Sequence, residues 1–400
     1  MNAPHSPSLL DGVAMAPSDP ILGVTEAFVA DQNPRKVNLG VGVYYDDKGT
    51  IPLLECVRHA ESERLKTSPH RGYLPIDGLA AYDRAVQSLV FGKEDKSIVT
   101  VQALGGTGGL KTGADFLRRV APASEVWISE PSWENHRQIF EAAGFTVKSY
   151  AYYDPATKGL DFEGMKRALS GLPAGAIVVL HACCHNPTGV DLTRENWSSV
   201  LEVVRSRGLV PFLDLAYQGF GDGLEADAYA ARLFTEAMTP VFLASSFSKS
   251  FSLYGERVGA LSVVTASPDE AARVLSNLKR VVRAPYSNPP THGSEIVATV
   301  LTTPQLRALW DRELAAMCER IKAMRSALVE GIHRRVPGSD FNFVLKQRGM
   351  FSYSGLSKEQ VARLRAEYSI YTIDTGRICV AALTSKNVDY VADAIARVIG

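Results

Sequence analysis

Val241-Phe-Leu-Ala-Ser-Ser-Phe-Ser-Lys-Ser-Phe-Ser-Leu-Tyr-Gly-Glu-Arg257 is the stretch that decides how the rest of this chain reads. Val241 to Ala244 form a short apolar run with strand character, and the hydroxyls of Ser245, Ser246 and Ser248 follow at once. Lys249 therefore stands where a buried strand gives way to a loop at the edge of a core. A lysine amine becomes nucleophilic toward a carbonyl when burial or a neighbouring cation lowers its pKa, and it can then hold an aldehyde as a Schiff base. Arg257 supplies a cation, and Ser246 with Arg257 offers a hydroxyl donor and a fixed-charge fork suited to a phosphate. A solvated lysine in a serine-rich loop fits this stretch equally well on its own, so the other motifs have to discriminate.

The chain has 400 residues, 46% apolar and 22% charged, enough to bury a large core divided into two or three domains. Its 43 Lys and Arg balance 43 Asp and Glu, so no global field draws it to nucleic acid or an anionic membrane, and small molecules are the expected partners. No apolar run approaches the ~20 residues of a membrane span, and no basic region followed by an apolar run opens the chain, which points to the cytoplasm. Cys56, Cys183, Cys184, Cys318 and Cys379 are odd in number and lack C-x-x-C spacing, which argues against a disulfide framework or a structural zinc site. They read as reduced thiols, with Cys183 and Cys184 packed beside a strand rather than redox-active.

Met1 to about Ser18 mixes Pro, Ser, Ala and Gly without a period and reads as an N-terminal arm with no chemistry. Gly40 and Gly42 interrupt the apolar segment Lys36 to Tyr44, which either lets a ligand approach the backbone or makes a simple bend. Helices are expected over Leu53 to Lys66 and Leu79 to Phe91, with Tyr73 on the irregular loop between them. At Leu104-Gly-Gly-Thr-Gly-Gly the strand Ile98 to Leu104 stops in glycines and a helical pattern starts, the arrangement that points free backbone N–H groups at an anion. It fits neither the Walker pattern nor G-x-G-x-x-G in its usual context.

Four further strands are expected at Val126 to Ser129, Ala176 to Leu180, Val210 to Leu215 and Val241 to Ala244, with gaps long enough for crossover helices. One such helix carries Thr193 as N-cap, Trp197, Val200, Leu201 and Val204 on one face, and Gly208 past its end. In largely parallel sheets ligands bind beyond the carboxyl ends of the strands. Those ends carry Trp133 and His136, His185 and Asn186, Asp214 and Tyr217, and Lys249, so four ends converge on one site. If the ligand is pyridoxal 5'-phosphate, Asp214 pairs with its ring nitrogen, Tyr217 and Asn186 donate to the ring oxygen, and Trp133 stacks on the ring. Each of these residues has an equally ordinary structural reading by itself. His136 and His181 read as supporting rather than acid–base groups.

Arg283 precedes a proline-rich break, exposed unless another surface covers it. Thr303-Pro304 opens a long helix with apolar residues from Leu306 to Leu328 at spacings of three or four, which bridges two domains. The end of the chain alternates strands (341–345, 350–353, 370–373, 378–382) with helices starting near Ser357 and Asn387, a smaller α/β unit. Arg377, immediately before the last strand, supplies the planar fork that bidentate carboxylate recognition needs.

From Asp19-Pro-Ile-Leu to the C-terminus the chain resembles the fold-type I, class I aminotransferases, in their aspartate and aromatic-amino-acid (tyrosine) branch. The motifs that carry the resemblance are Asn38-Leu-Gly-Val-Gly-Val-Tyr, Gly105-Gly-Thr-Gly, Pro131-Ser-Trp-Glu-Asn-His, His185-Asn-Pro-Thr-Gly, Asp214-Leu-Ala-Tyr-Gln-Gly-Phe, Ser246-Phe-Ser-Lys and Thr375-Gly-Arg. The resemblance implies an α/β architecture: a large domain (52–316) with a mostly parallel sheet flanked by helices, a smaller α/β domain (19–51 and 317–400), and an arm (1–18). It implies that Lys249 carries pyridoxal 5'-phosphate, that Asp214, Tyr217, Asn186 and Trp133 take the places given above, and that Gly106, Thr107, Ser246 and Arg257 hold the phosphate. Arg377 then binds the substrate α-carboxylate with Asn186 and the Gly42 backbone, while Tyr73 and Arg283 reach in from the second subunit of a homodimer with shared active sites. It further implies cis peptides at Pro131 and Pro187, and amino transfer between amino acids and 2-oxo acids by a ping-pong mechanism through one pocket.

Arg283 pairs the distal carboxylate of aspartate, glutamate or 2-oxoglutarate in either branch, so its presence does not separate them. Val43-Tyr-Tyr-Asp-Asp-Lys-Gly-Thr-Ile-Pro, Trp133-Glu-Asn-His, Pro211-Phe-Leu-Asp and Phe251-Ser-Leu-Tyr-Gly-Glu-Arg are similar to bacterial tyrosine aminotransferases, whereas Thr107 and Ser287-Asn288 look like the aspartate branch. The expectation is an aromatic-amino-acid aminotransferase that also accepts aspartate, with an aspartate aminotransferase as the alternative. A catalytically silent module on this fold conflicts with the intact Lys249, Asp214, Arg257 and Arg377, and decarboxylation conflicts with an arginine that holds the carboxylate fast.

Overall fold

The structure, a computed structural model, describes residues 8–16, 22–67 and 72–400. The expected arm is thus described only in part, and Asp19-Pro-Ile, where the family likeness begins, lies outside the described residues.

Seven strands form the central sheet: β1 Ile98–Leu104, β2 Val126–Glu130, β3 Val147–Ala151, β4 Ile177–His181, β5 Val210–Leu215, β6 Val241–Ser246 and β7 Val258–Val264. Their order is β1-β7-β6-β5-β4-β2-β3; β7 is antiparallel to both neighbours, and the pairs from β6 to β3 are parallel. The connection 247–257 explains the exception, because it is shorter than the dozen or more residues that a parallel crossover needs. β4, β6 and β7 are buried along their whole length, the pattern of strands covered by helices on both faces. The expected α/β architecture stands, and the structure adds the edge strand β3 and the place of β7.

Helices α1 Gly105–Val120, α2 Glu134–Ala142 and α3 Arg194–Ser206 start beyond the carboxyl ends of β1, β2 and β4. Thr193 caps α3 as expected, accepting from Asn196 N while the Asn196 side chain accepts from Thr193 N, and Gly208 follows the helix at φ +62°. Helix α4 Pro268–Tyr286 continues through Pro285, so Arg283 lies in its last turn rather than before a break.

Helix α5 Pro304–Arg335, with proline at its start, is about 48 Å long at 1.5 Å per residue. Near one end the fully buried Trp310 stacks on Phe251 and donates its indole N–H to Ser250 O at 2.7 Å, one residue past Lys249. Toward the other end Arg325 donates to Gly349 O and Phe351 O, and Arg335 pairs with Asp389 and Asp393 of the last helix. One rigid rod thus ties the Lys249 loop to the C-terminal unit.

That unit contains helices α6 Lys358–Tyr368 and α7 Val388–Ile399, with Val37–Asn38 parallel to Ile370–Tyr371 and Phe351–Tyr353 antiparallel to Arg377–Cys379. Two expected strands differ. Residues 342–345 form a short helix instead, its turn closed by Lys346 N to Phe343 O and Gln347 N to Val344 O, and among the described residues no strand pairs with them. The strand expected over 378–382 runs from Arg377 to Cys379, three residues that match the length of their partner, and then tightens into a 3-10 turn. Arg377 is therefore in the strand and not before it.

Candidate active site

The carboxyl ends of β4, β5 and β6 and the start of α1 enclose a cavity of about 230 Å³. Gly42, Gly106, Thr107, Trp133, Asn186, Asp214, Tyr217, Ser246, Lys249 and Arg257 line it, so ten of the side chains or backbones singled out in the sequence meet in one place. Tyr73, 93% exposed, Arg283, also exposed, and the buried Arg377 lie outside that lining.

At one end, Gly106 and Thr107 sit in the first turn of α1, whose leading N–H groups have no partner within the helix. Ser246 ends β6 beside them, and the Arg257 guanidinium is held by Ser248 Oγ at 3.2 Å and Tyr254 O at 3.1 Å. Gly105 has φ +69°, and a Cβ there would lie 2.5 Å from Arg257 Nη2, so the cation packs against a surface that only glycine provides.

At the other end Asp214 is buried, yet its carboxyl is held below the usual range. Burial alone would raise it; the hydrogen bond from His136, helped by the nearby Lys249 charge, outweighs that effect. Burial draws the His181 ring down to about 3, so it is neutral, and neither of its nitrogens has a hydrogen-bond partner among the described residues. The reading of His136 and His181 as supporting groups agrees with this geometry.

Lys249 faces the cavity 4.8 Å from the centre of the Tyr217 ring. Burial pulls its amine down to about 8; Asp214 opposes the shift and Arg257 assists it. Burial also pushes the Tyr217 phenol well above its ordinary range, leaving it a neutral donor.

Arg377, 1% exposed, donates from Nη1 to Asn186 Oδ1 at 3.1 Å and from Nη2 to Gly40 O at 2.6 Å, and its guanidinium lies 4.5 Å over the Phe351 ring. Asn186 touches both Arg377 and the cavity, which joins the two halves of the site. A Cβ at Gly42 would stand 2.7 Å from Phe351 Cζ, so this wall also requires glycine.

Sequence reasoning missed Val41, Val43, Ser248 and Tyr254 in the lining. Tyr254 Oη accepts from Tyr44 N at 3.0 Å, and its only sequence signal was its place in the lysine loop. The peptides before Pro131 and Pro187 are cis, as the resemblance implied, and so is the one before Pro240, which it did not. All five cysteines are free and buried.

The donor set fits pyridoxal phosphate. Helix N–H groups, Ser246 and Arg257 suit its dianion, an ionised Asp214 suits its ring nitrogen, and the partly neutral amine of Lys249 suits its aldehyde.

The profile of the family described as aminotransferase class I and II matches residues 34–395. The chain is 58% identical to an aspartate aminotransferase of Pseudomonas aeruginosa, over 98% of this chain and 100% of that protein. It is 50% identical to the aromatic-amino-acid aminotransferase of Escherichia coli K12, over 95% of this chain and 98% of that one. The solved structure of an aromatic-amino-acid aminotransferase from Burkholderia pseudomallei, covalently bound to pyridoxal phosphate, superposes with a TM-score of 0.96 at 61% identity, covering 98% of this chain and 100% of that one. This chain belongs to the class I and II aminotransferases and is a pyridoxal-phosphate-dependent transaminase.

Proposed function

We propose that the protein transfers the amino group of tyrosine and phenylalanine to 2-oxoglutarate, and that it also accepts aspartate. The observation that carries this reading is the pairing of a buried carboxylate clamp, Arg377, with an uncommitted distal cation, Arg283. Arg283 is exposed on the last turn of α4, and its recorded hydrogen-bond partner is Ser287 on its own surface. A cation that is free to move can meet a distal carboxylate or leave room for an aromatic ring, which avoids the cost of several kcal/mol for burying an unpaired charge. The relatives named above include both aspartate and aromatic-amino-acid aminotransferases, which supports dual use.

In this reading Gly106, Thr107, Ser246 and Arg257 hold the cofactor phosphate, Trp133 covers the ring, and Tyr217 and Asn186 donate to the ring oxygen. Asp214 keeps its negative charge against the ring nitrogen, oriented by His136. When bound, the cofactor supplies an electron sink that makes the substrate Cα–H acidic. Arg377, with Asn186 and the Gly42 backbone, fixes the α-carboxylate so that Cα lies within reach of Lys249. Lys249 Nζ takes the Cα proton and returns it, a task suited to an amine drawn to about 8. Both half-reactions use the same residues, which gives ping-pong kinetics.

The reading includes a homodimer in which Tyr73 and Arg283 reach the site of the second copy, and their exposure on a single chain, outside the cavity lining, supports it. It divides the chain into a large unit over 52–316 and a small unit over 19–51 and 317–400, split within α5, with 1–18 as an arm. Among the described residues no helix is long and apolar enough to cross a membrane. Five buried free thiols support a reducing cytoplasm.

The test is a single-turnover half-reaction of holoenzyme with phenylalanine, tyrosine or aspartate, followed by cofactor absorbance, with Lys249→Ala as control. Each tenfold difference in rate over affinity is about 1.4 kcal/mol of discrimination. Aromatic rates equal to or above that of aspartate support the proposal. An aspartate preference of hundreds makes the protein an aspartate aminotransferase.

A further inference from the structure

Glu134 opens α2 directly after Trp133, which lines the cavity. Its Oε2 is buried without a hydrogen-bond partner and stands 3.9 Å from Arg377 Nη1, too far for a hydrogen bond but within strong Coulombic range. The two recorded hydrogen bonds of Arg377 go to neutral oxygens, and its Nε has no partner among the described residues. Among those residues Glu134 is the one carboxylate within ion-pair distance of the fork. It compensates the buried guanidinium while no substrate is bound, which addresses the cost of an isolated buried charge.

We propose that Glu134 is a specificity-determining residue whose negative charge beside Arg377 penalises substrates with two carboxylates more than substrates with one. The inference rests on the reading of Arg377 as the α-carboxylate clamp. Every amino acid brings one carboxylate to Arg377, so repulsion between that group and Glu134 is common to all substrates and cancels in their ratio. Aspartate and 2-oxoglutarate bring a second negative group only a few bonds from the carboxylate held at Arg377, which Glu134 approaches to 3.9 Å, so that group falls within roughly a Debye length of Glu134. An aromatic side chain brings no charge and feels no such repulsion. Arg283 offsets the penalty only when it swings in, so the balance between Glu134 and Arg283 sets how far the enzyme prefers aromatic over acidic amino acids. The Glu134 side chain is 28% exposed, and water therefore screens part of its field.

The experiment compares wild type, Glu134→Gln and Glu134→Asp as holoenzymes. It reads kcat/KM for aspartate and phenylalanine, KM for 2-oxoglutarate, and calorimetric affinities for two unreactive probes, succinate and 3-phenylpropionate. Glu134→Gln is expected to raise the aspartate-to-phenylalanine ratio by about tenfold, a change of the size that one screened charge produces at these distances. It is expected to lower KM for 2-oxoglutarate and to tighten succinate about tenfold more than it tightens 3-phenylpropionate, whose single carboxylate feels only the repulsion common to all substrates. Glu134→Asp keeps the charge and is expected to stay near the wild-type ratio. An active Glu134→Gln with an unchanged ratio overturns the proposal, as does a Glu134→Asp that behaves like Glu134→Gln, because shape rather than charge would then be at work. Arg377→Lys that leaves 3-phenylpropionate affinity intact refutes the clamp reading itself, and a wild type inert toward all amino acids refutes the proposed function; the probe affinities keep these failures distinct.

Discussion

Nε2 of His136 lies 2.9 Å from Oδ2 of Asp214, and Nδ1 of the same ring lies 2.9 Å from Oγ of Ser132, so one buried imidazole fixes the orientation of the carboxylate. The carboxylate partner puts a proton on Nε2, and the serine hydroxyl holds the other ring nitrogen. His136→Leu keeps the volume but leaves Asp214 without this donor, which is expected to cost about 1–3 kcal/mol. With the donor, Asp214 has a folded pKa below its ordinary value, so its stabilisation is complete above that ordinary value and is lost as pH falls through the lowered one. In the variant the folded pKa moves back up toward or past the ordinary value, so this loss on acidification should shrink or vanish. Urea unfolding from pH 7 down to pH 3 checks this, and coincident pH profiles for the two proteins would contradict it.

His181 gives a second pH signature. Its folded pKa of about 3 lies below the ordinary value of 6.5, so the unfolded chain binds more protons throughout that window. Stability from this group is full above 6.5 and declines by ~1.4 kcal/mol per pH unit on acidification. His181→Gln removes that slope, and the unfolding free-energy difference, wild type minus variant, is expected to fall by ~2 kcal/mol between pH 7 and 5. A difference that stays constant with pH would show that His181 is not buried neutral.

Lys249 should titrate near 8 in the ligand-free protein. Its acylation by an amine-reactive reagent, read by peptide mass spectrometry, is expected to be half-maximal at about that pH and faster above it. Arg257→Gln removes a cation and should move the midpoint up, whereas Asp214→Asn removes an anion and should move it down. The reverse order of the two variants would contradict the electrostatic account.

Gly105→Ala forces a side chain into a positive-φ position and pushes its Cβ against the Arg257 guanidinium. Affinity for pyridoxal phosphate is expected to weaken on the order of tenfold to a hundredfold as that charge-assisted contact shifts. Gly255→Ala is the control, because a Cβ there meets nothing within 4 Å. Equilibrium dialysis against the cofactor checks both variants, and equal affinities would contradict the role of Gly105.

Arg377→Lys replaces a planar fork held at two points with a single ammonium in a site that is 1% exposed. A loss of roughly 2–5 kcal/mol is expected, at least about thirtyfold in kcat/KM, for aromatic and acidic amino acids alike. Steady-state kinetics with phenylalanine and aspartate measure it, and a loss confined to aspartate would place Arg377 at the distal rather than the α-carboxylate.

Much of this was legible along the chain because local chemistry and local structure coincide. The strand Ile98 to Leu104, the glycines after it and the helix that follows are where the sequence put them, since an apolar run, a φ-permissive break and a 3.6-residue period are neighbours in the chain. The same holds for Thr193 at its cap and for Lys249 after β6. Phe341 to Leu345 was misread because a short apolar run has no strand partner to hold it extended, and whether a partner exists is a non-local fact.

The sequence by itself determined the elements, the hydroxyl-lysine-arginine loop, the glycine-started helix and the order of polar groups at strand ends, because residues within a few positions of one another specify them. Only the tertiary structure decided that β7 runs antiparallel between β1 and β6 and that His136 reaches Asp214 across 78 positions. It also decided that Arg377 meets Asn186 and stands beside Glu134. Those relationships follow from packing one sheet against its helices, where burial and hydrogen-bond satisfaction act between residues far apart in the chain.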